Sequence, residues 1–297
     1  MWLFFSLLAP LFFAVVHVLD SYCVEDIFEK PWMGMMTGSI ASIVIIIAPL
    51  PFILPFIDWQ WPSWQIIGLA LLAGALIQLS QGLYFQALSY SEAGIVAAYW
   101  NMVPAFVPLL SFVIFQERLS LPQYIAISVL IFASVSFCLI DEKIEVRWRT
   151  FYLMLAAAVM QACMFLLQEI VYSETSYIVA FIIITIGLII TGIVPLISSS
   201  IRRTFSNSRN TLMLATKLFI AIEVINLIAL AFSQRAVDLG IPSLVAAVES
   251  TIPAYTFLLL IILTILLPKF GDPTAKRNIT KKLGLLILMV ISISTLA

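Results

Sequence analysis

The chain turns apolar again and again, each time for about the 20 residues that a helix needs to cross a hydrocarbon core of roughly 30 Å, and each run ends in a short polar break. Ten such runs fit into the 297 residues. They fall at about 2–22, 32–56, 64–89, 92–115, 121–140, 150–172, 176–199, 211–238, 241–267 and 279–297. No break is long enough to house a globular domain. The longest, from Lys269 through Gly271-Asp272-Pro273 to Lys282, is made of charged and turn-forming residues. With 63% hydrophobic and 10% charged residues, the chain has too few ionisable groups to coat a surface in water. The expected fold class is an all-α polytopic membrane protein, with the lipid bilayer as its solvent. The first run has no basic flank and no small-residue cleavage site, so it reads as a retained span rather than a signal peptide. Trp59, Trp61 and Trp64, just past Pro49, Pro51 and Pro55, have the look of an interfacial belt.

The same composition excludes several functions. A formal net charge of -1 with scattered Lys and Arg offers no basic patch for nucleic acid. Cys23, Cys138 and Cys163 lie in or beside apolar runs without metal-site spacing, and His17 is the single histidine, so no metal and no cofactor are expected. No serine-glycine nucleophile turn and no paired-aspartate signature is present, which argues against an enzyme. The phosphate-binding pattern GxxxxGK[ST] is absent too, leaving a gradient or exchange as the energy source, with protons as the candidate coupling ion.

Sliding the sequence against itself by about 149 residues places Glu25 on Glu174, Gly38 on Gly187, Leu69 on Leu218 and Ala87 on Ala236. In the same register Val96-Ala97-Ala98 falls on Val245-Ala246-Ala247, and Pro104-Ala105 on Pro253-Ala254. The glutamate, glycine and proline keeping one ungapped offset point to a duplication, with repeats at 1–141 and 150–297. Each half holds five spans. An odd number makes the second half enter the membrane in the opposite sense, giving two inverted five-helix repeats whose seam near the midplane can open to each side in turn.

From Tyr84 to Leu119 the chain makes a membrane hairpin: a small-residue run Gly94-Ile95-Val96-Ala97-Ala98, Pro104 about ten residues on, then the charged stop Glu117-Arg118. This pattern resembles the EamA-like domain of the drug/metabolite transporter superfamily, ten-helix type. The first copy is the closer match, and the second departs after Leu267, where a longer loop replaces the compact stop. The resemblance implies a secondary transporter in a bacterial inner (cell) membrane that exports an amino-acid-like metabolite. Its cavity would be lined by spans one, three, four, six, eight and nine. Flippase-like and multidrug members of the superfamily are the alternatives within transport; a structural or sensory membrane protein is the alternative outside it. Small multidrug relatives carry a glutamate midway along the first helix, where this chain reads Phe12-Phe13-Ala14-Val15.

A charged side chain at the centre of a span costs about 2.5–3.5 kcal/mol, so intramembrane carboxylates are the first site candidates. Glu223, with Asn226 a turn on and Gln234 continuing the stripe, and Glu249, with Thr256 further along, qualify. Gln78 and Gln81 share a face of the third span with Phe85, bordered by Tyr84; Tyr99, Trp100 and Asn101 mark the fourth; Gln161 sits mid-way in the sixth. His17 is deep enough in the first span to serve a proton relay. Such a set of rings, amides and carboxylates suits a small amphipathic or zwitterionic solute, since aromatic faces cover its apolar part and attract an ammonium. Each residue also has a plainer reading, as an interhelical hydrogen bond or a packing ring. Asp20 and Glu169 lie close enough to the expected helix ends for ordinary hydration at the headgroups. Pro253 removes the helical donor for the carbonyl of Glu249, and Pro104 does the same for Trp100, so an amine would fit between carboxylate and indole.

Orientation is pulled two ways. Alternating the breaks puts Lys30, Lys143, Arg147, Arg149, Arg202, Arg203, Arg209, Lys217, Lys269, Lys276, Arg277, Lys281 and Lys282 on one side and leaves only Arg118 and Arg235 on the other. The positive-inside rule then sets both termini outside, whereas the resemblance implies both inside.

Overall fold

The computed structural model describes residues 1–57, 59–91, 93–140, 148–266 and 278–296. Its helices are α1 (Trp2–Asp26), α2 (Met33–Ser42), α3 (Leu50–Ile53), α4 (Trp64–Leu88), α5 (Ala93–Trp100), α6 (Val103–Phe115), α7 (Leu121–Leu139), α8 (Trp148–Glu174), α9 (Tyr177–Ile193), α10 (Ser199–Asn207), α11 (Arg209–Leu214), α12 (Thr216–Leu239), α13 (Pro242–Glu249), α14 (Ile252–Leu266) and α15 (Ile279–Leu296). Among the described residues ten spans are long and apolar enough to cross a membrane. The protein is an integral, multi-pass membrane protein. Lys143, Arg147, Lys269, Lys276, Arg277 and the turn at Gly271-Asp272-Pro273 lie outside the described residues.

Two boundaries differ from the sequence expectation in ways that matter below. The first span continues to Asp26 because nothing at Asp20-Ser21-Tyr22 stops a helix; the Ser21 hydroxyl simply bonds back to the carbonyl of His17 at 3.0 Å. The eighth span starts at Thr216, after the short helices α10 and α11 and a turn at Ala215, so Glu223 lies seven residues from its start rather than about twelve. Elsewhere local chemistry sets the ends. Ser63 caps α4, Ser120 and Gln123 form a capping box on α7, and Gln116 ends α6 in the left-handed region at φ 55°. The second span widens into a π turn at Ile43–Ile47, with Ala48 N–H bonded to the Ile43 carbonyl five residues back at 2.9 Å.

Helix packing joins the first half of the chain to the second. α4 runs along α8 and α9, α1 along α12, and α7 along α15; α6 meets α8, α14 meets α1, and α6 touches α13. The α4–α9 contact is a close one. A Cβ on Gly74 would collide with the backbone at Ile184 and Leu188, and one on Gly187 with the backbone at Leu71. Close backbone approach at small residues is how membrane helices gain dispersion energy where hydrophobicity gives no preference. Leu109, Val113, Phe132, Ile287 and Val290 stay exposed, as expected of faces solvated by lipid.

Contacts identify the two ends of the bundle. Ser91 bonds Thr150 at 2.7 Å, Ser208 donates to Glu29 at 2.6 Å, and Asn278 donates to the carbonyl of Ile140, so these breaks share one end. Lys30, Arg149, Arg202, Arg203 and Arg209 belong to that end. At the other end Arg235 pairs with Asp238 and lies 5.1 Å from the Tyr177 ring.

Candidate functional site

Two spans break where the sequence places proline. α5 stops at Trp100 and α6 resumes at Val103; α13 stops at Glu249 and α14 resumes at Ile252. Tight turns replace helix at both: Asn101 N–H bonds Ala98 O and Met102 N–H bonds Tyr99 O, while Ser250 N–H bonds Ala247 O and Thr251 N–H bonds Val248 O. Pro104 and Pro253, lacking an N–H, cannot restore the lost bonds. Irregular backbone at membrane depth is tolerated where it is buried in protein or lines a cavity. Here Ser134 on α7 ties the breaks together, its hydroxyl lying 2.9 Å from Asn101 Oδ1 and 2.5 Å from the carbonyl of Ser250.

A cavity of about 90 Å³ opens beside these breaks, walled by α1, α4, α8 and α12 as well, that is, by spans one, three, four, six, eight and nine. It has room for several waters. Of the residues singled out in the sequence, Glu249, Trp100, Asn101, Gln81, His17, Gln161 and Asn226 line it. On one wall, Tyr84 stands edge-on to Trp100 with ring centroids 5.6 Å apart and places its hydroxyl 3.4 Å from His17 Nδ1. Across from it Gln161 donates to Ser80 Oγ at 2.7 Å. Glu249 is partly buried; the Ser233 hydroxyl is within hydrogen-bonding reach, and the Glu249 Oε1 is sealed from solvent without a partner among the described residues. A membrane-buried carboxylate oxygen in that condition is ready for a cationic or donor group.

A smaller space of about 30 Å³ adjoins the cavity through shared walls at Val16, Asp20, Gln81 and Asn226. Glu223 belongs to it. Its Oε1 accepts from Ser42 Oγ at 2.5 Å and its Oε2 from Asn226 Nδ2 at 3.4 Å.

Two candidates stand apart from both spaces. Tyr99 packs edge-on against Phe151 at 5.6 Å. Gln78 is 1% exposed and spends its amide on the Met35 carbonyl, at 2.7 Å, and on Ser39 Oγ, at 2.9 Å. Replacing Gln78 with Ala leaves both acceptors unsatisfied, so thermal unfolding in detergent should show a loss of about 1–3 kcal/mol, with solute affinity unchanged; a change in affinity alone would place Gln78 in the site after all. Gln234 is similarly occupied, accepting from the Tyr172 hydroxyl.

Asp20 corrects the sequence reading. It is 6% exposed and faces both spaces rather than the headgroups, because α1 carries on for another six residues beyond it. The signal was present in the spacing: Phe13, His17 and Asp20 fall at i, i+4 and i+7 on one helical face, and all three line the cavity. Ser134 gave no such signal, because serine is common in these spans and its value lies in what it touches.

Residues 1–139 match the model of the EamA-like transporter family. No curated protein matches the chain. A solved crystal structure, described simply as that of a protein, is 14% identical and superimposes with a TM-score of 0.68, covering 99% of this chain and 94% of its own. That likeness shows a shared fold.

Proposed function

We propose, from the match of residues 1–139 to the EamA-like transporter family, that the chain is a transporter of the drug/metabolite superfamily and exports a small amphipathic or zwitterionic, amino-acid-like metabolite by alternating access. The observation that carries the reading is the cavity at the two helix breaks, where the Glu249 carboxylate and the Trp100 indole end the two half-helices. A carboxylate with an unpartnered oxygen suits an ammonium group, and the rings of Trp100, Tyr84 and Phe13 suit an apolar side chain. In this mechanism Glu249 exchanges a proton for the ammonium, so that solute and proton travel in opposite directions. The test is uptake of labelled amino acids and amines into proteoliposomes with and without an imposed pH gradient. Accumulation that collapses with the gradient is the expected result; no flux of any of them would overturn the reading.

The two repeats, 1–141 and 150–297, form the moving halves. Support comes from partners that exchange under the offset. Gly38 of α2 faces Glu223 of α12, while its mate Gly187 of α9 faces Leu71 of α4. Likewise α4 with α8 answers to α12 with α1, and α6 with α8 to α14 with α1. An experimental structure should superimpose spans one to five on six to ten by a half-turn about an axis in the membrane plane; parallel halves would exclude this.

The basic end faces the cytoplasm and both termini face out, as the charge bias requires. A reporter fused to the C-terminus that works only outside the cytoplasm should be active, and activity of one confined to the cytoplasm would reverse the assignment.

A further inference from the structure

The smaller space beside the cavity is built unlike its neighbour. Two carboxylates, Asp20 and Glu223, face it together with the amides of Gln81 and Asn226, and among the described residues no Lys or Arg lines it. Glu223 is already provided for: hydroxyl and amide donors reach both of its oxygens, the arrangement that suits a carboxylate anion. Asp20 has nothing of the kind. Though more than nine-tenths buried, its carboxyl makes no hydrogen bond among the described residues, and it points into open volume. Two negative charges without a counter-ion in one buried space of about 30 Å³ would repel each other across a medium that screens poorly, so one positive charge belongs there, on the side of Asp20 that no donor serves.

We infer that this chamber holds an exchangeable proton on the Asp20 carboxyl, with Glu223 as its fixed anionic neighbour, distinct from the group that meets the solute at Glu249. The inference rests on the transport reading and adds to it a second protonation site. The other titratable groups around Asp20 are His17 and Cys23 on its own helix, Tyr84 on α4 and Glu249 on α13; α2 contributes the hydroxyls of Thr37 and Ser42 but no charge. Because Asp20, Gln81 and Asn226 line both spaces, a cationic group entering the cavity arrives next to the protonated carboxyl. The Asp20 O–H bond then breaks, its proton passes to a water in the chamber, and the carboxylate left behind is balanced by the positive charge held next door at Glu249. Toward the basic end the chamber is lined by Phe28 stacked on Phe219, ring centroids 5.5 Å apart, with Phe85 edge-on at 6.4 Å.

Infrared difference spectroscopy on the full chain in lipid nanodiscs, with pH as the only variable and no solute, tests this. A protonated-carboxyl band should titrate, and its aspartate component should shift in wild-type protein labelled with carboxyl-13C aspartate and be lost in Asp20→Asn while persisting in Glu223→Gln; the Glu249 component should remain in both variants. The labelled wild type gives an answer even if Asp20→Asn does not fold. Absence of a titrating band that shifts on aspartate labelling, its survival in folded Asp20→Asn, or an aspartate signal that responds to Na+ and not to pH would each overturn the inference. Because no solute is present, a failure here is separate from a failure of flux in proteoliposomes, which would strike the transport reading instead.

Discussion

Replacing Glu249 with Gln abolishes pH-dependent transport in reconstituted protein while leaving the chain folded and inserted. The side chains are nearly the same size, and Gln keeps a hydrogen-bonding oxygen and gains an N–H₂, so packing at the end of α13 survives. What disappears is the group that meets the solute, one able to give up a proton and take a cation in its place. Trp100→Ala tests the other side of the same cavity. Losing a desolvated ring next to an ammonium costs about 1–2 kcal/mol, which is ~5–30-fold in apparent affinity, with the pH profile retained. Unchanged flux and pH profile in purified Glu249→Gln protein would return Glu249 to a structural hydrogen-bonding role.

The second large effect falls on stability. Gly74→Ala should sharply lower the yield of monodisperse protein and its melting temperature, because the new methyl would meet Leu188 N at 2.6 Å and would also run into the carbonyl of Ile184. Those obstacles are backbone, so no side chain can swing aside, and α4 and α9 must separate along a contact that holds the two halves of the chain together. Overpacking of a well-fitted interior typically costs about 1–3 kcal/mol, and an obstacle of backbone places this change at or above the upper end. The same substitution at Gly68, six residues earlier on α4 with open space around its missing Cβ, should do the reverse. Alanine exceeds glycine in helix propensity by about 1 kcal/mol, so Gly68→Ala should melt at the same temperature or higher. Equal melting of the two variants would mean that the α4–α9 approach does not bear on stability.

The solvent, the number of spans and the places where two of them break are legible in the residues alone. Each of these is a local property: twenty apolar residues can satisfy their backbone only as a helix in lipid, and a proline within one cannot donate. So are the residue types available for a site, since an intramembrane carboxylate is too costly to be incidental. Which of those residues meet was decided only by the tertiary structure. Gln78 and Gln81 are three residues apart on α4, yet a small rotation about the helix axis sends one amide to Met35 and Ser39 on α2 and the other into the cavity. Asp20 is peripheral to a first span that ends near it and central to one that runs on to Asp26. Ser134 acquires its place between the two breaks solely through contacts with Asn101 and Ser250, 33 and 116 residues away in the chain. Hydropathy reports how far each residue prefers to be from water, a preference that nearly every position here satisfies in the bilayer. The direction in which a polar side chain points depends on how neighbouring helices pack, and that is set by distant small residues such as Gly74 and Gly187 whose role no local pattern reveals.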